Sequence, residues 1–251
     1  ALLSWPMVGA GLVVLIIDLG RPEINRPSHL MNVFNNLSSM MAIGAVLLMS
    51  FLVVSLLTTA MWVFRWREGL LRSIIEVVGI SLGFGVTLYP GLLLALARGN
   101  PFWTSPLLPW LFVVSALCTG LSLVGLTETW LGKTLFPIFS TGTRDALVDF
   151  SKTLQIGLLV EFMILIAFTA SVWNSTGTSI AIMGTLAPVF WATAIGGLLI
   201  PIGIERYSER MLEQTGLKTI ATREVLAMIS FLLVVLGGLL LRYVILIAGQ
   251  M

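Results

Sequence analysis

The chain has 251 residues, 57% of them hydrophobic and 10% charged, with a mean hydropathy of +1.02. Soluble domains carry about 25% charged residues, so this composition excludes a water-soluble globule, whose core could not hide so much apolar surface. A net charge of +2 with scattered charges excludes nucleic acid as a partner.

Two scarce residue types exclude more. A single cysteine, Cys118, cannot form an internal disulfide or hold an iron–sulfur cluster, which takes about four thiolates. A single histidine, His29, cannot supply both axial ligands of a membrane b-type haem. Any electrons handled here arrive on another protein's cofactor. The chain starts at an alanine in mid-pattern without a basic leader segment, so no signal peptide is expected.

Seven hydrophobic runs approach the roughly 20 residues that cross a bilayer, near 2–20, 38–64, 72–97, 106–127, 153–173, 182–204 and 224–247. Nothing alternates with period two over barrel-strand lengths. The expected fold is all-α: one polytopic transmembrane helical bundle over residues 1–251, in contact with membrane lipid. Tryptophans at the run ends (Trp5, Trp62, Trp66, Trp103, Trp110, Trp130, Trp173) form an aromatic belt. The pairs Gly79/Gly83, Ala116/Gly120, Gly9/Gly11 and Gly196/Gly197 are expected to let helix backbones approach.

The loops set the orientation. One side receives Arg65, Arg67, Arg72, Lys133, Arg144, Lys152, Arg206, Arg210, Lys218 and Arg223, and the other Arg21, Arg26 and Arg98. Positive charge collects on the cytoplasmic side, so the first side is inner and the second outer, as expected for the inner membrane of a prokaryotic cell.

Ionisable groups within spans are costly and are read as functional candidates. Asp18 closes the first span, with Arg21 just beyond it in "IIDLGRP"; Arg242 lies late in the last span; Tyr89 lies late in the third, in "VTLYPGLLLALARGNPFW". These groups reach one depth near the outer side. Pro90 removes the amide that would bond the carbonyl of Val86, and a freed carbonyl at that depth needs protein or a water-lined cavity. Alone, Tyr89 serves equally as an interfacial anchor. With Asp18, Arg21 and Arg242 it reads as a site. His29, in the loop after the first span, is a solvated residue or a proton carrier near that site's mouth. Glu76, Glu128 and Glu161 form a candidate proton path from the cytoplasmic side, Glu161 near mid-membrane; Glu128 and Glu205 also have an interfacial reading. Cys118 is read as a packing residue.

The stretches "LIIDLGRP", "SSMMAIGAVLL", "YPGLLLALARGNPFWTSPLLPWLFVVSALCTGLSL" and "GGLLLRYVILIAGQ" together resemble the NrfD/PsrC family, the membrane subunits of polysulfide-reductase-type respiratory complexes. The resemblance covers most of the chain. It implies a bundle, usually of eight helices, whose first helix has no counterpart in this sequence. It also implies docking on an iron–sulfur subunit that is bound in turn to a molybdopterin catalytic subunit. The expected function is electron exchange between that partner's clusters and a quinone, menaquinone or ubiquinone, near the outer face, with no haem or cluster in this chain. Tyr89 matches the tyrosine of the family's quinone pocket, and Asp18, Arg21 and Arg242 fall in its recurrent motifs. A quinone headgroup has two carbonyls, which need donors at both ends of an apolar slot. Two other classes compete: a secondary transporter with helices broken at "YPG" and "IPIG", and a passive anchor for catalytic subunits.

Overall fold

The computed structural model describes residues 4–18, 40–64, 69–97, 100–130, 144–214 and 219–251. Among them the regular structure is helical throughout. The helices are α1 (Ser4–Asp18), α2 (Met40–Val63), α3 (Leu70–Ala95), α4 (Leu107–Trp130), α5 (Arg144–Ser171), α6 (Thr176–Ile182) and α7 (Ala187–Trp191). A π-helical segment, Ala192–Leu199, then leads into α8 (Ile200–Gln214), and α9 (Thr219–Ala248) follows. A backbone in hydrocarbon must satisfy its own polar groups, and a helix does so within one segment.

Six of the seven expected spans are long and apolar enough to cross a bilayer: Ala42–Val63, Leu70–Ala95, Leu107–Thr127, Phe150–Ser171, Ala187–Ser208 and Val225–Ala248. The first falls short. Helix α1 has 15 residues, about 22 Å at 1.5 Å per residue, against a hydrocarbon core of about 30 Å.

The sixth span begins later than the hydropathy places it. Ser175 caps α6, its Oγ accepting from the Thr178 amide at 3.3 Å, so the apolar residues up to Ile182 form a helix of their own. Pro188 then starts the spanning helix in its first turn, where the missing amide costs nothing. Further along, Pro201 would crowd the carbonyl of Gly197 in an α-helix. The π-helical turns just before it widen the ladder there.

The chain divides into two compact units, residues 1–93 and 94–251. In the first, α2 and α3 run antiparallel. Leu47 meets Gly85, Phe51 meets Gly83 and Val54 meets Gly79. In the second, α9 packs along α4 and against the π segment and α8, while α4 also packs on α5. Its core includes Leu108, Leu111, Leu154, Leu158, Phe168, Val234, Leu241 and Val244. Phe102 and Phe168 pack edge to face at 5.4 Å.

Glycines set the closest approach. Gly197 and Gly237 touch backbone to backbone, and a Cβ on Gly197 would lie 2.6 Å from the Gly237 Cα. Of the small-residue positions singled out in the sequence, Gly197 makes such a backbone contact and Gly79 and Gly83 each receive a side chain of α2, whereas Gly9, Gly11, Gly120 and Gly196 face open space. At the end of the second unit opposite the Lys/Arg-rich loops, Trp103 Nε1 donates to the Ile245 carbonyl at 3.0 Å. The Asn100 amide donates to the Gly249 carbonyl. Trp103 is thus an internal clamp, while Trp62, Trp110 and Trp173 are exposed as a lipid-facing belt requires.

Candidate functional site

In the first unit, α3 continues through Pro90 without ending. Tyr89, immediately before it, is half-buried. Its ring lies against Gly44 of α2, and the atoms that a Cβ there would strike are Cζ, Cε1 and Oη of the phenol. Any side chain at position 44 would occupy the phenol's place. The missing side chain therefore leaves room for the phenol against the backbone of a neighbouring helix. The sequence carried a signal for this, the single glycine in "SSMMAIGAVLL", but nothing in one dimension pairs it with a tyrosine on the next helix.

Asp18 is the last residue of α1 in the same unit, and its side chain lies outside the described residues, as do Arg21 and His29 entirely. Arg242 belongs to the second unit. There its guanidinium acts on the carboxylate of Glu161, a pairing that the depths estimated from sequence do not contain.

Glu161 is 2% exposed. Ser115 and Cys118, about one turn apart on α4, face its carboxyl. Two contacts set the register that brings these groups together. Cys118 Sγ lies against Gly157 of the antiparallel α5. Phe150 of α5 stacks edge to face on Phe231 of the parallel α9 at 5.8 Å, which puts Arg242 level with Glu161. Gly238 lets α9 close on Thr119 and Ser115. Among the described residues Arg242 Nε has no hydrogen-bond partner. A buried carboxyl and a half-buried guanidinium thus lie on one level of the second unit, each within electrostatic reach of the other.

The remaining carboxylates differ in setting. Glu76 Oε1 accepts from Arg72 Nε at 2.9 Å in an exposed i,i+4 pair, and that guanidinium also sits 4.7 Å over the Trp62 ring. This is an ion pair of a helix end, worth little in water. Glu128 has its side chain outside the described residues. Glu205, read from sequence as interfacial, is 3% exposed and accepts a hydrogen bond from Ser151 Oγ of α5.

The arrangement supplies two chemical elements. The first unit presents a phenol donor seated between two helices beside a proline-freed carbonyl. The second buries a carboxyl able to take up or release a proton, with a guanidinium on the same level. The sequence singled out Tyr89, Glu161 and Arg242. It missed Gly44, Ser115 and Ser151, because small residues acquire a role only through the partner they face.

Comparison with known proteins gives a consistent result. The protein is 28% identical over 279 aligned positions to the C subunit of the polysulfide reductase of Wolinella succinogenes, an alignment covering 100% of this sequence and 80% of that subunit. No solved structure matches. The family model described as polysulphide reductase, NrfD, matches residues 1–251. This multi-helix membrane protein belongs to the NrfD polysulphide reductase family.

Proposed function

We propose that this protein is the quinone-reactive membrane subunit of a reductase complex in a prokaryotic inner membrane. In this reading it exchanges electrons with an iron–sulfur partner bound to a molybdopterin catalytic subunit. The family membership and the relative's name support a membrane subunit of a reductase complex. The observation that carries the finer reading is Tyr89, whose phenol is seated on Gly44 between α2 and α3 beside Pro90.

That seat fits a headgroup. A quinone carbonyl needs a donor inside an apolar wall, and a phenol supplies one on a side chain with only two rotatable bonds before its hydroxyl. The quinone, menaquinone or ubiquinone, supplies a lipid-soluble carrier of two electrons and two protons. Tyr89 donates to one of its oxygens and orients it. Asp18, Arg21 and His29 complete the polar contacts at the headgroup's far end and mouth. Within the second unit Glu161, with Glu128 toward the Lys/Arg-rich side, holds and passes on protons that reduction consumes. The electrons come from the partner's clusters, since this protein's single cysteine and single histidine ligate neither a cluster nor a bis-histidine haem.

The test is Tyr89→Phe in the assembled complex. One neutral hydrogen bond contributes about 0.5–1.5 kcal/mol, so quinone-linked turnover is expected to fall about two- to tenfold. Reduction of artificial dyes at the partner's clusters stays at the parent rate. Unchanged quinone turnover in Tyr89→Phe overturns the reading.

A further inference from the structure

The second unit contains a file of buried polar groups that the pocket at Tyr89 does not use. It starts at the end bearing Lys152, Arg206 and Arg210, all exposed. Just inside that end, Ser151 donates to Glu205. The antiparallel register fixed by Cys118 on Gly157 and by Ser105 Oγ against Ser171 Oγ at 2.9 Å puts Ser122 level with Thr153 and Leu154. Gln155, 9% exposed, is one turn above Ser151 on the same buried stripe of α5. Ser230 of α9, next to the Phe231 that stacks on Phe150, lies at the entry level. Cys118 is level with Leu158, between Gln155 and Glu161, and faces the Glu161 carboxyl.

Two of these groups stand out chemically. Ser122 and Ser230 are 0% exposed, and among the described residues neither hydroxyl has a hydrogen-bond partner. A serine in a helix ordinarily returns its hydroxyl to a carbonyl one turn back, as Thr119 does to Ser115 here at 2.8 Å. Leaving such a group unpaired in a dry core costs about 1–3 kcal/mol. Two at neighbouring depths, Ser230 at the Glu205–Ser151 entry and Ser122 just inside it, mark a strip that takes up water. The distance to be covered is short: Ser151 to Glu161 is about 15 Å along α5 at 1.5 Å per residue. Long side chains at both ends and the Cys118 thiol near the middle shorten it further.

We propose that this file is a proton-entry path, opening at Glu205 and ending at the Glu161–Arg242 charge pair. A proton from solvent at the Lys/Arg-rich end adds to the Glu205 carboxylate. It then moves along hydroxyls and intervening water, each accepting one proton and releasing one. Ser151 and Ser122 carry it, and Gln155 orients the water between them. It ends on the Glu161 carboxylate, which becomes a neutral acid while Arg242 keeps its charge. No electron moves, and only O–H bonds break and form. The Arg242 charge favours an ionised Glu161 between turnovers, and a neutral Glu161 is free to give its proton up. The inference rests on the quinone reading only for where that proton is finally consumed.

The experiment uses the full-length protein in lipid vesicles and contains no quinone, so it is independent of the outcome at Tyr89. The infrared carbonyl band of the Glu161 carboxyl, populated as the neutral acid at low pH and assigned by its loss in Glu161→Gln, is followed as it shifts after transfer to deuterated water of the same acidity. Glu205→Gln is expected to slow that shift by about a hundredfold, the lower range of what a positioned proton carrier contributes. Ser122→Ala, which removes one unpaired hydroxyl and leaves the packing intact, slows it as well. In the assembled complex, formic acid added on the Glu205 side restores turnover lost in Glu205→Gln, which mere loss of structure would not allow. Equal deuteration rates in the parent protein, Glu205→Gln and Ser122→Ala overturn the proposal.

Discussion

A tyrosine near a bilayer surface is ordinarily an anchor, and what removes Tyr89 from that class is a residue with no side chain at all. Gly44 gives the phenol a place between two helices. Tyr89, Glu161 and Arg242 were legible as candidates because polar groups inside apolar spans are costly and therefore few. Their partners were not, since the depth of a residue follows from its position in a span, but the face it presents follows from packing across helices. Arg242 illustrates this: the sequence placed it beside the tyrosine by depth, and the register of α5 on α9 puts it level with Glu161. The pair makes its own prediction. Removing one member of a buried pair strands the other, whereas replacing both with apolar residues is close to neutral. Glu161→Leu and Arg242→Met are each expected to lose about 2 kcal/mol or more in stability. The double variant recovers most of it, as measured by thermal unfolding of the purified protein in micelles.

At the level of the helix, hydropathy alone located six spans to within about five residues, because a bilayer imposes length and apolarity on whatever crosses it. It did not reveal that the sixth is preceded by a separate short helix, nor that its middle is π-helical. Both features come from local chemistry that a sliding average erases: the Ser175 cap, and Pro201 set one turn after Gly197. The wide turns of Ala192–Leu199 also set the rotation of everything downstream, so they decide which side of α8 carries Glu205 toward Ser151. Deleting one residue within 192–199 is expected to let these turns relax to an α-helix and leave Glu205 facing α5, because one extra residue is what the wide turns absorb. In the parent register, a Ser151→Cys, Glu205→Cys variant cross-links under mild oxidation. With the deletion added, the cross-link is expected to persist, whereas one residue inserted between Ile202 and Glu205 is expected to abolish it.

For the molecule as a whole, the sequence established an all-helical membrane bundle, and the charge bias of its loops gave that bundle a direction. The direction is open to a clean test, because the one native thiol, Cys118, is 1% exposed and should stay unlabelled in the folded protein. Cysteines placed at the exposed positions of Lys152 and Arg210 are expected to react with an impermeant maleimide only once the cytoplasmic face is opened. One placed at Thr104, exposed at the opposite end, should react in intact cells. The clamp at that end carries a consequence for biosynthesis. Asn100 and Trp103 are made early, yet the carbonyls they bind belong to Gly249 and Ile245. During translation, four spans' worth of polypeptide must be made with that indole and that amide unmet. The second unit is therefore bolted shut from its distal end, and only after the ribosome has delivered the final turn of α9.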